Sequence, residues 1–167
     1  MTFSLPPLSA LDLAFIAVAL VLIHLARRWM LLYALLALPG TLLHELSHWL
    51  VALMLGGRPG ALAVVPVRSE RGWRLGSVAI HRVRWFNALP IGLAPLALAP
   101  IAWFALGLAA GLEADDWTRY AALYVVAITA FSCLPSRADL AIVVSRPLGV
   151  LFYLGLMLAA GYLWWVA

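Results

Sequence analysis

The chain has 167 residues, of which 66% are hydrophobic and only 11% are charged, and its mean hydropathy is +1.03. Soluble domains carry about a quarter charged residues, so this composition indicates a membrane protein and excludes a large soluble catalytic domain. The net charge of +4 comes from 11 Arg and no Lys against seven acids. In so apolar a chain such an excess orients membrane segments, and we expect no nucleic-acid partner.

Five apolar runs predict a single all-α membrane domain over residues 1–167, integrated into the lipid bilayer by about five transmembrane helices. The second run contains Pro39-Gly40, which a membrane helix accommodates as a kink when neighbouring helices satisfy its backbone. We expect the segments TM1 at 8–26, TM2 at 31–55, TM3 at 86–111, TM4 at 117–145 and TM5 at 148–166.

A polar loop at 58–85 separates TM2 from TM3. Its short apolar or β-branched runs at 61–67 and 73–80 flank the turn-forming sequence SERG at 69–72, which predicts a cytoplasmic β-hairpin at the membrane surface. Pro66 cannot donate a ladder hydrogen bond, so its strand is expected at an edge or a bulge. Such an edge is suited to pairing with an extended peptide. A solvated basic hairpin that only sets topology is an equally good interpretation.

The arginines predict the orientation of the chain. The loop carries six arginines and one acid, whereas the connection between TM3 and TM4 is acidic: Arg58, Arg68, Arg71, Arg74, Arg82, Arg84 and Glu70, against Glu113, Asp115 and Asp116. The positive-inside rule therefore places the loop and the N-terminus on the cytoplasmic side of a prokaryotic cytoplasmic membrane. Arg27 and Arg28 would then lie outside, against the rule.

TM2 contains His44-Glu45-Leu46-Ser47-His48, the H-E-x-x-H pattern. On a helix this spacing places both imidazoles on one face, one turn apart, as two nitrogen ligands for one Zn²⁺ per chain. Glu45 lies beside them, where it can reach a metal-bound water without being a ligand itself. Ionisable side chains in hydrocarbon are costly unless they are paired or bind a metal. A polar packing cluster between helices is the alternative.

Zinc in a catalytic site usually takes three protein ligands and leaves one position for water. If TM2 and TM4 both run toward the cytoplasm, His48 and Asp139 each lie about 10 Å from the cytoplasmic end of their segment. We therefore predict Asp139 as the third ligand. Asp12, which lies shallower on TM1, is the lesser candidate, as a ligand or as a partner of one. An interhelical ion pair with Arg137 or a helix end cap is the alternative role for Asp139.

Pro135 interrupts TM4 because proline removes a backbone donor. Broken helices at membrane depth usually line a cavity, through which water can reach a buried metal. Arg137, two residues after the proline, either snorkels to the cytoplasmic surface or stabilises an oxyanion. Asn87, near the inner end of TM3, is a further candidate for hydrogen bonding to a substrate backbone.

Together these features resemble the site-2 protease family of intramembrane zinc metalloproteases. The resemblance covers the layout from TM2 to TM4, with HELSH in the second helix, a basic hairpin after it and an aspartate two helices later. It implies a zinc ion bound by His44, His48 and Asp139, with Glu45 as the catalytic base. No glycine follows Asp139 as it usually does in the family, GLAP at 92–95 lacks the family's asparagine, and no PDZ domain is expected.

The sequence thus predicts a zinc metalloendopeptidase that hydrolyses peptide bonds of membrane-embedded or membrane-proximal protein substrates and that is open to a regulatory membrane partner. The alternative is a non-catalytic, protease-like scaffold that binds partner helices and holds a structural zinc. A metal-ion carrier is disfavoured because the outer half of the predicted helices offers almost no polar side chain beyond His24.

Overall fold

The computed structural model describes residues 8–63, 66–69, 72–113 and 116–166. It is mostly helical, with two small antiparallel sheets. The helices are α1 (Ala10–Ala26), α2 (Met30–Met54), α3 (Ala88–Gly92), α4 (Leu98–Ala110), α5 (Trp117–Ser132), α6 (Arg137–Val144) and α7 (Pro147–Val166). The strands are β1 (Pro59–Ala63), β2 (Val67–Ser69), β3 (Gly72–Arg74) and β4 (Ser77–Ile80).

Two helices in the described part of the chain, α2 and α7, are long and apolar enough to cross a membrane. A third span results if α5 and α6, whose axes differ by 44°, are taken together, whereas α1 and the 94–110 segment are apolar but shorter. Large apolar side chains are exposed along α7, as expected for a surface that contacts lipid. The structure therefore has two or three candidate spans, and the figure of five remains a prediction.

The predicted segments TM3 and TM4 are both interrupted. TM3 divides into α3, a 3₁₀ turn at Ala94–Ala97 and α4, because Pro95 at the start of that turn has no N–H to continue the hydrogen bonding of α3. TM4 divides at 133–136 into α5 and α6, which confirms the break predicted at Pro135. The chain bends by 44° between α5 and α6, and the predicted ligand Asp139 lies in the first turn of α6, directly after this bend.

The loop at 58–85 forms the predicted hairpin as two nested ladders. Strand β1 pairs with β4 and β2 pairs with β3, and a register shift within the outer ladder marks a bulge. Pro66 lies between β1 and β2 and belongs to neither strand. The predicted turn at 69–72 includes Glu70 and Arg71, which lie outside the described residues.

The hairpin is fastened along α2. Trp49 of α2 donates a hydrogen bond from Nε1 to the carbonyl oxygen of Gly60 in β1, at 3.1 Å. Near the other end of the hairpin, Leu75 packs on the hydrophobic core, where α1, α2 and α5 meet. That core is formed by Ile23, Ala37 and Ile128. The hairpin therefore packs against one face of α2.

A buried ion pair joins α1 to α5. Arg119 donates from Nε to Oδ1 of Asp12 at 2.9 Å and from Nη2 to Oδ2 at 2.6 Å. Its Nη1 donates to the carbonyl oxygens of Ala109 and Leu112 at the end of α4. Asp12 also accepts hydrogen bonds from the backbone and the hydroxyl of Ser9, which caps α1. Both charges are therefore paired and hydrogen-bonded, as buried charges must be.

This ion pair contradicts part of the predicted topology. Five alternating spans would place Asp12 and Arg119 at opposite faces of the membrane, yet their side chains touch. At the other ends of the same helices, the guanidinium of Arg27 lies 5.0 Å from the ring centroid of Phe131. Helices α1 and α5 are therefore parallel, and the predicted alternation is wrong for this pair. The positive-inside rule counts the charges of each loop and ignores contacts between helices. A buried carboxylate such as Asp12 requires a cation beside it, and Arg119 of α5 is that cation.

Candidate metal centre

The side chains of His44 and His48 on α2 and of Asp139 on α6 meet at one point. The Nε2 atom of His48 lies 3.3 Å from Nε2 of His44 and 3.1 Å from Oδ1 of Asp139. The Nε2 atom of His44 lies 3.3 Å from Oδ2 of Asp139. Among the described residues, these three form the cluster of potential metal ligands. The structure thus brings together the three residues that the sequence predicted as ligands.

The spacing of these donor atoms fits a tetrahedral metal site. Zinc bound to nitrogen and oxygen at about 2.0–2.1 Å places two tetrahedral ligands roughly 3.3 Å from each other. The 3.3 Å between the two Nε2 atoms matches that edge length, and each Nε2 lies at a similar distance from one of the two carboxylate oxygens of Asp139. A set of two imidazoles and one carboxylate is also a common donor set in catalytic zinc sites, where the fourth position is left open.

Backbone carbonyls fix the orientation of both imidazoles. Nδ1 of His44 lies 2.8 Å from the carbonyl oxygen of Ser132, and Nδ1 of His48 lies 2.7 Å from that of Ile91. A carbonyl oxygen only accepts hydrogen bonds, so each Nδ1 carries a hydrogen, and in the neutral imidazole each Nε2 then presents its lone pair to the cluster. Three acceptors therefore converge on one point, an arrangement that a cation at their centre stabilises.

Asp139 is held by the cap at the start of α6. Its Oδ2 accepts a hydrogen bond from the backbone N–H of Ser136 at 2.6 Å, while the hydroxyl of Ser136 accepts from the backbone N–H of Asp139 at 3.3 Å. This reciprocal capping box requires α6 to begin at Arg137, which the break before it permits. The interruption of the predicted TM4 is thus what orients the third ligand.

Helix α3 packs directly on the first turns of α6 because Gly92 has no side chain. A Cβ atom at Gly92 would lie 2.4 Å from Cγ2 of Val143 and 2.7 Å from the carbonyl oxygen of Asp139. The preceding residue, Ile91, supplies the carbonyl that orients His48. The contact at Gly92 therefore sets the position of one ligand relative to another.

The cluster opens into a cavity of about 670 Å³. Glu45, the residue after the first histidine, lines this cavity together with His44 and Asp139. Residues 75–78 of the hairpin form another wall of the cavity. This wall lies directly against Glu45, since a Cβ atom at Gly76 would be 2.8 Å from Cγ of Glu45. The cavity that the helix break predicted is therefore present, and the hairpin closes one side of it.

The remaining predicted residues lie away from the cluster. Arg137 is exposed in the first turn of α6. Asn87 is fully buried, accepts a hydrogen bond from the backbone of Arg84 and donates to the carbonyl oxygens of Leu55 and Arg82. Its amide thus joins the end of α2 to the end of the hairpin and has its partners within the chain. Asp12, the lesser candidate for the third ligand, is held by Arg119.

Two features of the site were not predicted from the sequence. The carbonyl groups that orient the histidines are backbone atoms, which leave no trace in residue type. Arg27, which the predicted alternation of five spans placed outside, lines the same cavity as His44 and Asp139. The cap of α6 did have a sequence signal, because Ser136-Arg137-Ala138-Asp139 has the S-x-x-D spacing of a capping box.

Both histidines of the H-E-x-x-H pattern and a distant aspartate supply the donors. No family model, curated protein or solved structure matches the chain.

Proposed function

We propose that the protein is a zinc-dependent intramembrane endopeptidase of the site-2 protease type. The observation that supports this most strongly is the convergence of His44, His48 and Asp139 within metal-binding distance of one another, with Glu45 in the same cavity. The apolar surfaces of α2 and α7 support a location in the bilayer. We further propose that α1 and the 94–110 segment are embedded as well, which gives five membrane segments with α5–α6 as one broken span.

In this proposal the two histidines and Asp139 would hold the metal. The backbone carbonyls that bind the Nδ1 atoms keep the Nε2 lone pair of each imidazole directed at it. Bound zinc supplies an acidified water and polarises the scissile carbonyl. Glu45 takes a proton from the attacking water and gives it to the leaving amine. The C–N bond of the peptide breaks, and the products are a carboxylate and an amine.

The substrate backbone must be extended where it is cut, because a helix keeps its carbonyls in internal hydrogen bonds. Residues 75–78 of the hairpin line the cavity beside Glu45. A strand edge beside a cleft offers backbone donors and acceptors to an unwound segment. We therefore propose that the hairpin holds the substrate in an extended form near the metal.

The second candidate function is a protease-like scaffold with a structural zinc. It is favoured by the sequence around the third ligand, where Asp139 is followed by Leu140 and not by glycine. A scaffold needs the three ligands but does not need Glu45 as a base. The two functions therefore differ in whether peptide bonds are cut and not in whether metal binds.

Removal of the metal tests the enzymatic proposal. The detergent-purified, zinc-loaded protein is incubated with a mixture of synthetic decapeptides, and the products are identified by mass spectrometry. We expect hydrolysis that falls to background on treatment with a strong chelator and returns when about one equivalent of zinc is added. Hydrolysis that persists after the zinc has been removed would overturn the proposal, and so would the absence of any cleavage by the zinc-loaded protein.

A further inference from the structure

The cavity contains a cation that the proposed hydrolysis does not use. Arg27 ends α1, and its guanidinium carbon lies 5.0 Å from the ring centroid of Phe131 and 5.8 Å from that of Tyr33. Both distances are within the range of cation–π contacts. Arg27 is exposed, and the two rings hold its guanidinium beside the cavity that His44 and Asp139 also line.

This cation is held differently from the buried Arg119. A guanidinium that packs against aromatic rings keeps its N–H donors in its own plane, where they remain open to an acceptor. In the described part of the chain, no carboxylate or carbonyl group is hydrogen-bonded to the side chain of Arg27. The side chain of Arg119, in contrast, donates to the carboxylate of Asp12 and to two backbone carbonyls. The geometry leaves a forked donor that matches the two oxygens of a carboxylate.

The cavity is also long enough to connect this cation with the metal cluster. Its wall on α2 follows one face of the helix at three- to four-residue spacing, through Tyr33, Ala37, Thr41, His44 and Glu45. His44 lies eleven residues after Tyr33, which corresponds to about 16 Å of helix. An extended peptide advances about 3.3 Å per residue, so roughly five residues span this distance.

We propose, on the basis of the endopeptidase function above, that Arg27 binds a carboxylate of the peptide substrate roughly five residues from the scissile bond. The carboxylate belongs either to an acidic side chain or to a free C-terminus, and both present the same two oxygens. Arg27 is then a specificity residue of the proteolytic site.

Binding to a non-hydrolysing variant tests this without requiring cleavage. Zinc-loaded Glu45→Gln protein in detergent is titrated with fluorescent decapeptides that are amidated and carry one Glu at successive positions, or Gln at the same positions. A third series has a free C-terminus without any Glu. We expect the acid-bearing peptide at the matching position to bind about 10- to 100-fold more tightly than its neutral counterpart. The series that shows this preference identifies the source of the carboxylate.

Variants at Arg27 supply the decisive comparison. Arg27→Gln is expected to abolish the preference and Arg27→Lys to retain part of it, while zinc content reports that the site is intact. Arg28→Gln is the matched control, since the exposed Arg28 does not line the cavity, and it should keep the full preference. Equal binding of acidic and neutral peptides, or a preference that survives Arg27→Gln, would overturn the inference.

The same titrations separate this inference from the proposed function. If the wild-type protein cleaves peptides but binds acidic and neutral ones equally, the role of Arg27 is wrong and the endopeptidase remains. If an Arg27-dependent preference is measured and the wild-type protein cleaves none of the peptides, the carboxylate site remains and the endopeptidase is wrong.

Discussion

Glu45→Gln is expected to lower peptide hydrolysis by at least about 10²- to 10⁴-fold, the usual contribution of a general base, and to leave the zinc in place. The amide is nearly the same size as the carboxylate but cannot take a proton from water. Glu45 is not among the three clustered ligands, so its loss removes no donor from the metal. The lower rate is checked by initial rates on a decapeptide that the wild type cleaves. The retention of zinc is checked by the zinc content of each sample.

Glu113→Gln is the matched control, because Glu113 is an exposed residue of the connection between α4 and α5. It makes the same chemical change and should keep the wild-type rate. Rates close to the wild type in Glu45→Gln would contradict the proposed mechanism. Full zinc occupancy without cleavage by any variant, wild type included, is what the scaffold alternative predicts.

Gly92→Ala is expected to cost both activity and stability. The added methyl would lie 2.4 Å from Val143 and 2.7 Å from the backbone of Asp139, so α3 and α6 must separate. Overpacking of this kind costs about 1–3 kcal/mol. A shift of about 1 Å between the carbonyl that orients His48 and the carboxylate of Asp139 is enough to lower the rate about 10²-fold. Denaturant unfolding in detergent and initial rates of hydrolysis measure the two effects.

Gly107→Ala provides the control for the same chemical change. Gly107 lies within α4, and a Cβ atom there meets no other atom within 4 Å. Alanine in a helix interior is more stable than glycine by roughly 0.5–1 kcal/mol, so this variant should be slightly stabilised and fully active. Equal effects of the two substitutions would show that the contact between α3 and α6 does not position the ligands.

The sequence was most informative where the governing interactions are local. The spacing of His44 and His48 defines one helix face, and the proline at 135 predicts the break in the fourth segment. Asp139 was found by its depth along that segment, an estimate that needed TM2 and TM4 to run the same way. Only the general positions of the strands were predicted for the hairpin, because nested pairing depends on how the two halves of the loop align.

The features that were missed arise from contacts between distant segments. Asp12 and Arg119 are 107 residues apart, and neither carries a local pattern that reports the other. Their contact reversed the expected relation between α1 and α5, and it belongs to the same parallel packing that brings Arg27 against Phe131. Residue types and segment lengths predicted the helices, whereas the buried ion pair between Asp12 and Arg119 shows that α1 and α5 lie side by side.

The most direct test of the metal centre is the zinc content of the purified protein, measured by elemental analysis. Ser136→Ala is an informative companion, because it removes the hydroxyl that caps α6 and keeps every ligand; it should lose about 1 kcal/mol of stability and retain zinc. We predict about one zinc per chain in the wild type and in Ser136→Ala, and almost none in Asp139→Ala or His48→Ala. A wild-type protein without zinc, or an Asp139→Ala variant with as much zinc as the wild type, would contradict the assignment.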